Sequence, residues 1–429
     1  MSNKVKLEDV ASLTVGFVGN MTKEYVDTGV SFFRSLNIKP FYLDDKDLLH
    51  ISSEFNEKIK KSKLREGDIV IVRTGQPGTC CVIPKEYDGC NCSDLVIVRP
   101  NKDKVNPHYL EAYINFMTQK QINNHQVGAI QKHFNVGSAK EMILYLPEIR
   151  TQEKCADIVK VLNKKIENNN RINSELESMA KTIYDYWFLQ FDFPDENGKP
   201  YKSSGGKMMW NDKLKKEIPE KWSVGTLSRY IAKDKGGDWG KEVEEGKYIK
   251  RVICLRGADF PSITGNSKLV ASVRYILEKN KSKILENGDL IIEISGGSPT
   301  QSTGRICYIN NNLLERFEMD IVTSNFCKAI SLNDPNHMYW FYVQWLKIYD
   351  NNVLFKYEGK TTGIKNLLFD MFINDYEIAV PPNELIIQYN NMVCAMYDEI
   401  QKKQKESQEL VSLRDFLLPL LMNGQVGFK

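Results

Sequence analysis

The sequence predicts an α+β protein made by duplication, in which two globular mixed domains alternate with two long helices. Three observations carry this expectation. First, Leu64-Arg65-Glu66-Gly67-Asp68-Ile69-Val70-Ile71 recurs as Leu285-Glu286-Asn287-Gly288-Asp289-Leu290-Ile291-Ile292, and Gly75 recurs as Gly296 at the same shift. Second, short β-branched runs bounded by Gly, Asp and Pro occupy matching stretches of the two copies. Third, each copy passes into a long segment patterned in heptads. A repeat this widely spaced is no solenoid, whose unit runs about 20–50 residues; it is a duplicated domain.

Taken in order, residues 1–150 form the first domain, with strand runs Ile69-Val70-Ile71-Val72 and Leu95-Val96-Ile97-Val98 and a helical patch from Pro107 to Met117. Residues 151–192 form the first spacer helix: up to Gln190 no glycine or proline interrupts, and Leu162, Lys165, Asn169, Ile172, Leu176, Met179, Ile183 and Tyr186 alternate three and four apart. Residues 193–217, rich in Gly, Pro, Ser and Lys, read as a linker. The second domain, 218–382, repeats the strands as Leu290 to Ile294 and Arg305 to Ile309 and the helical patch as Asn336 to Ile348. Residues 383–429 give the second spacer helix, with Met396, Ile400, Lys403, Ser407, Leu410, Leu413, Leu417 and Leu420 as its seam and Pro419 expected to kink or shorten it. The two seams predict a pseudo-twofold antiparallel coiled coil, and their mid-seam polar residues lower stability while fixing register and partner.

Apolar residues make up 42% and charged residues 26% of the chain, a water-soluble composition, and no apolar run nears the roughly 18 residues of a membrane span. No apolar signal-peptide core follows Met1, so a cytoplasmic location without a membrane partner is expected. Nine cysteines, an odd number, fit a reducing compartment. Cys80, Cys81, Cys90 and Cys92 are spaced too closely for a good zinc chelate and have no second-copy equivalent, so they are expected to be buried thiols and no metal site is assigned. The net charge of +3 decides nothing, because a nucleic-acid binder can be nearly neutral with its cations on one face.

Catalytic patterns are missing. Gly359-Lys360-Thr361-Thr362 resembles the end of a phosphate loop, but Leu354 stands where its first glycine belongs. Asp289 and Glu293 lack the lysine of a nuclease site, since Ser295 occupies its place. Pro381-Pro382 is flanked by Val380 and Asn383, which is not the loop of an adenine methyltransferase, and five scattered histidines form no ligand spacing. What remains is polar, basic loop material at matched places: Arg34-Ser35, Arg73, Gln76 and Gln131-Lys132-His133 in the first copy, and Arg256, Ser298, Thr300, Gln301, Lys360, Thr361, Thr362 and Lys365 in the second. Such side chains hydrogen-bond phosphates and base edges. Solvated loops share their composition, and the matched placement is what raises the DNA-binding reading.

Several stretches together resemble the specificity subunit of a type I restriction-modification system. They are the opening around Tyr25 to Val30 and Arg34 to Ile38, the Gly67 to Gly75 turn with its second copy, and Leu146 to Gln152 and Val380-Pro381-Pro382, each running into a long helix. The resemblance implies two target-recognition domains, each reading one half of an interrupted double-stranded DNA site, and adds Tyr25 to the candidate contacts. It implies no catalysis and no cofactor on this chain. Two methyltransferase subunits would bring S-adenosylmethionine, and two motor-nuclease restriction subunits would bring ATP and Mg. Glu293-Ile294 stands where the first copy has Val72-Arg73, so Arg73 has no assured counterpart. The alternative is a coiled-coil scaffold that binds protein without DNA specificity.

Overall fold

The computed structural model describes residues 3–118, 121–122, 134–264, 271–296, 298, 300–361 and 363–426. They form two compact units, Met1–Ile166 with Glu409–Lys429, and Glu167–Gln408. The boundary between units falls inside both long helices.

The two units carry the same sheets in the same order. In the first, an antiparallel sheet runs Ala11–Val15, Leu95–Pro100, Ile69–Val72, Cys80–Val82; in the second it runs Ile231–Gly236, Cys327–Leu332, Asp289–Glu293, Ile306–Tyr308. A smaller mixed sheet holds one parallel pair in each unit, Asn91–Cys92 with Val30–Phe33 and Ile321–Thr323 with Tyr248–Leu255. The runs Ile69–Val72 and Asp289–Glu293 are buried throughout, which is why Ile69–Val72 and the centre of the second run, Leu290-Ile291-Ile292, read as unbroken apolar stretches. One face of each main sheet is covered by a helix, Pro107–Met117 or Met338–Asp350, whose aromatic side chains fill the core. Three of the four clustered cysteines, Cys81, Cys90 and Cys92, pack in a separate small core with Phe33 and Leu95, while Cys80 joins the main core of that unit.

At the start of each central strand a tight turn needs a left-handed residue, supplied by Gly67 (φ 87°) and Gly288 (φ 96°). The aspartate that follows closes the turn: Asp68 accepts from the Arg65 amide at 3.0 Å and Asp289 from the Glu286 amide at 2.8 Å. Both carboxylates are buried and both meet a cation, but from different strands. Asp68 takes a two-pronged contact from Arg99 at 2.9 and 2.7 Å. Asp289 takes Lys235 at 2.8 Å, while Ser331, the residue in the place of Arg99, adds a hydroxyl at 2.6 Å.

The long helices span Ile149–Tyr184 and Asn383–Met422 and run antiparallel in each unit. In the first unit Cys155, Ala156 and Val159 share a core with Leu418, Leu421 and Met422; in the second the Tyr389 hydroxyl donates to the Ala180 carbonyl at 3.0 Å. The seam differs from the sequence expectation by one residue at every second position of the first helix and of the second up to Ser407, and at each expected position after that. Leu162, Asn169, Leu176, Ile183, Ile400 and Ser407 lie on it. The alternate positions belong to Ile166, Asn173, Ala180, Tyr397, Gln404, Val411, Arg414 and Leu418. Met179 and Leu413 are therefore exposed, at 52% and 45%, and Ile172, Met396, Leu410 and Leu417 sit half-buried on its flanks. Close approach of the helices selects small or hydrogen-bonding side chains, as where Asn169 donates to Ser407 Oγ at 3.2 Å and Glu406 Oε2 at 3.1 Å. The second helix continues through Pro419, since a proline in the last turn removes only one helical bond.

The expected linker is ordered. Ser203 donates through its amide and hydroxyl to Asp192 at 2.7 and 2.6 Å, Phe193 stacks on Tyr201 and Trp222, and Met208–Asn211 pairs with Lys216–Pro219 as a hairpin. Among the described residues no helix is long and apolar enough to cross a membrane.

Buried charge gives a direct test. Lys235→Met leaves the buried Asp289 carboxylate without its cation and should destabilise the second domain by about 3–5 kcal/mol in denaturant unfolding, whereas Lys235→Met with Asp289→Asn, which removes the charge but keeps an acceptor for the Glu286 amide, should recover much of that loss.

Candidate nucleic-acid interface

Each central strand begins at the buried aspartate and ends in a polar loop, residues 73–79 in the first domain and 294–304 in the second. A second segment, distant in sequence, returns to the base of that loop in the same way in both. The Phe134 amide donates to the Arg73 carbonyl at 3.1 Å, and the Leu367 amide to the Ile294 carbonyl at 2.8 Å. In sequence, Gln131-Lys132-His133 precede Phe134 and lie outside the described residues, and Lys360 to Lys365 precede Leu367; the backbone junction itself, Phe134 on Arg73 and Leu367 on Ile294, is what the two domains share.

A third element is added at the same strand end. After Val30–Phe33 comes a 3₁₀ turn in which the Arg34 amide donates to Asn37 Oδ1 at 3.0 Å; after Tyr248–Leu255 the Arg256 amide donates to Asp259 Oδ2 at 2.8 Å. In the second domain this turn lies against the loop base, since a Cβ on Gly257 would stand 2.4 Å from Glu293 Oε1 and 3.1 Å from Arg305. Glycine at 257 permits that approach.

The second-domain loops converge in a small three-stranded sheet of Ser295–Gly296, Ile364–Leu367 and Glu358–Thr361. Ser298, Thr300, Gln301 and Lys365 come together there. The Ser298 and Thr300 hydroxyls are 3.4 Å apart, the Gln301 amide donates to Ser298 Oγ at 3.2 Å, and Lys365 donates to the Gln301 carbonyl at 3.5 Å. Thr300 and Gln301 are exposed, as is Gln76 at the tip of the first-domain loop. Ser35 is half-buried at the head of its turn. The backbone of Lys360 and Thr361 lies in the hairpin, whereas Gln131, Lys132, His133 and Thr362 lie outside the described residues.

Several expected contacts prove to be internal supports. Arg73 pairs with Asp94 and donates from Nε to the Phe134 carbonyl at 3.3 Å, leaving 17% of its side chain exposed. Arg256 grips Asp259 through Nε and a terminal nitrogen, both at 3.0 Å, and Arg34 donates to the Asp47 carbonyl at 2.9 Å. The Tyr25 ring meets Phe32 edge-on at 6.1 Å and packs against the small core of Met21, Ile51 and Phe55. Lys365 pairs with Glu358 at 3.0 Å. Arg73, Arg256 and Lys365 hold loops by pairing with carboxylates and Arg34 by bonding a backbone carbonyl, roles that sequence alone does not distinguish from contacting phosphate.

The second domain has no version of the Arg73–Asp94 pair. Ile294 and Phe326 occupy the two places, and Phe326 is 54% exposed at the loop base with its carbonyl accepting from the Ile294 and Ser295 amides. Loop anchoring passes instead to Glu293 and Arg305, joined at 2.8 and 2.6 Å. The Glu293 carboxylate bonded to it raises the Arg305 guanidinium above its ordinary value, against the opposing effect of burial. Phe326 and the exposed Ile364 are surface apolar groups beside the polar cluster that the sequence reading missed. The only signal for Phe326 was a lone aromatic in a polar loop. Such groups suit thymine methyls and sugar faces.

Glu358 ties the loops together. Burial opposes its ionisation, but the Thr303 amide at 2.8 Å and Lys365 outweigh it and hold the carboxyl below its ordinary value. A lowered folded value means that the stability it contributes is full above the unfolded glutamate value of about 4.3 and is lost as pH falls through the lower folded one. Hydrogen-exchange protection of the Thr303 amide should therefore decline in that acid range, and Glu358→Gln should remove the dependence.

Three comparisons bear on this arrangement. Residues 2–178 match the family described as type I restriction modification DNA specificity domain. The chain is 23% identical over 297 residues to the MjaIX specificity subunit of Methanocaldococcus jannaschii, covering 67% of this chain and 61% of that relative. It is 23% identical over 408 residues to the HindI specificity subunit of Haemophilus influenzae, covering 85% and 88% respectively. The fold is similar to the crystal structure of a type I restriction-modification S subunit from M. genitalium, with a TM-score of 0.56 at 13% identity over 98% of this chain and 96% of that one.

Proposed function

Because residues 2–178 match the type I restriction modification DNA specificity domain and the chain is similar to specificity subunits, we propose that it is such a subunit and that its two domains read the two unlike halves of an interrupted DNA site. The carrying observation is the repeated junction of loops, Phe134 on Arg73 and Leu367 on Ile294, at the same strand end of both domains. Two equivalent positions with different side chains are what an asymmetric bipartite target requires. The chain is a recognition subunit and itself carries out no chemistry.

Within each domain, exposed amides and hydroxyls are the base-reading groups: Gln76 in the first and Thr300 and Gln301 in the second, with the half-buried Ser298 beside them and Gln131 assigned the same role from its place in the sequence. Lys132 and Lys360 are assigned to phosphate. Arg34, Arg73, Arg256 and Lys365 keep the loops in place. The antiparallel helices space the domains, and Ile172, Met179 and Tyr186, which lie outside the seam, offer a stripe to methyltransferase subunits. Two such subunits would supply S-adenosylmethionine and the methyl-transfer loop. In a restriction complex two motor-nuclease subunits would add ATP- and Mg-dependent cleavage.

Scrupulously purified chain should neither methylate nor cleave DNA, and modification should begin when a methyltransferase subunit is added; methyl transfer by the chain alone would refute the reading. Gln76→Ala and Gln301→Ala should each relax one position, in opposite halves of the site, at a cost of about 1–3 kcal/mol. Lys132→Ala and Lys360→Ala should weaken all sequences alike and flatten the salt dependence by about one unit of slope each. Sequencing of modified DNA should return two unlike half-sites with centres about one helical turn, ~34 Å, apart. A protein-only scaffold would show none of these effects.

A further inference from the structure

The first domain has a cationic surface that the recognition loops do not use. Just ahead of the Gly67 turn, a 3₁₀ turn at Lys60–Ser62 and the residues after it line a cavity of about 400 Å³. Lys60, Lys61, Lys63, Arg65 and Arg99 face it, with Asp88 as the one carboxylate. Two of these cations are already neutralised, Lys63 by Glu57 and Arg99 by Asp68. Lys60, Lys61 and Arg65 are exposed and make no side-chain hydrogen bond or ion pair among the described residues. Asp88 is partly engaged, accepting from the Glu66 amide at 3.0 Å. The surplus is therefore positive, three exposed cations against the single Asp88 carboxylate.

Its position tells what it can meet. Leu64 is fixed to the sheet by the Leu64 amide on the Cys90 carbonyl and the Gly89 amide on the Leu64 carbonyl, at 2.8 and 3.0 Å. That is the start of Ile69–Val72, whereas the recognition loop leaves from its end, about 13 Å further along at roughly 3.3 Å per residue. The cavity thus lies at the opposite end of the sheet from Gln76. On the same end, Glu66 and Gly67 line a groove with Ile149 and Glu153 in the first turn of the spacer helix. No aromatic ring is among the residues lining the cationic cavity, so nothing there would stack a nucleobase. The second copy keeps lysines in this place, but Lys281 is tied to Glu278 and Lys283 donates to the Gly237 carbonyl at 2.9 Å.

We infer that Lys60, Lys61 and Arg65 form a docking site for an acidic segment of a protein partner, on the spacer-helix side of the first domain. A duplex seated on the recognition loops lies at the far end of the sheet, which leaves a carboxylate-rich polypeptide as the polyanion that this surface fits. The inference rests on the proposed function for the identity of the partner, a methyltransferase subunit.

The test is lysine acetylation footprinting of the full chain, free, bound to a methyltransferase subunit, and bound to a duplex carrying both half-sites. Lys60 and Lys61 should lose reactivity several-fold with the subunit and keep it with the duplex, while Lys281 serves as an internal control. The triple variant Lys60→Glu, Lys61→Glu, Arg65→Glu should weaken subunit association at least tenfold and leave sequence preference for DNA unchanged; all three sites are exposed, so the fold is retained. Protection by the duplex would show a phosphate contact and overturn the inference, as would absence of protection by the subunit. Wild-type chain that binds subunit but shows no sequence preference for DNA would instead refute the recognition reading, and the footprint would still decide the docking site.

Discussion

Everything at the loop end of each domain depends on one buried carboxylate at the other end. Asp68 and Asp289 each sit behind a left-handed glycine, close the turn through a backbone amide, and take a cation in a place where an unpaired charge would be strongly destabilising. That anchorage fixes where the central strand starts and which residues its register points into the core. Four or five residues later the same strand releases a loop whose position is set by where the strand began. A slip of one residue would exchange the strand's two buried faces, unpair the aspartate and carry the loop with it.

The two copies preserve that anchor while changing how it is built. Arg99 reaches Asp68 from the adjacent strand; in the second copy serine holds that place and the cation arrives from Lys235, one strand over. The loop bases diverge likewise, an Arg73–Asp94 pair in one and Glu293–Arg305 with an uncharged Ile294 and Phe326 in the other. Backbone junctions are kept and side-chain solutions are not. For the reading of two unlike half-sites proposed above, this is the useful division: the frame is common and the chemistry presented by each domain varies independently.

The duplication, the strand runs and the two long helices were legible because each rests on local pattern. Periodicity placed Leu162, Asn169, Leu176 and Ile183 on the seam correctly. It then preferred Ile172 and Met179 to Asn173 and Ala180, because hydrophobicity is a poor guide where two helices approach closely and a small or bonded side chain fits better. Composition placed a linker at 193–217 but could not show its internal structure: Gly, Pro and Ser mark irregular backbone, which Phe193, Tyr201 and Trp222 pack into order. At the interface the matched loops were visible, but the work of individual cations was not. Arg73, Arg256 and Lys365 are basic loop residues in sequence; only their distances to Asp94, Asp259 and Glu358 reveal them as internal struts.

The first unit includes the residues from Glu409 onward as well as those before Glu167, and Leu418, Leu421 and Met422 are part of its core. On a ribosome these leave the tunnel only after the whole second domain has been made. The domain translated first is therefore the last to be completed, and through that interval the buried faces of Cys155, Ala156 and Val159 wait uncovered.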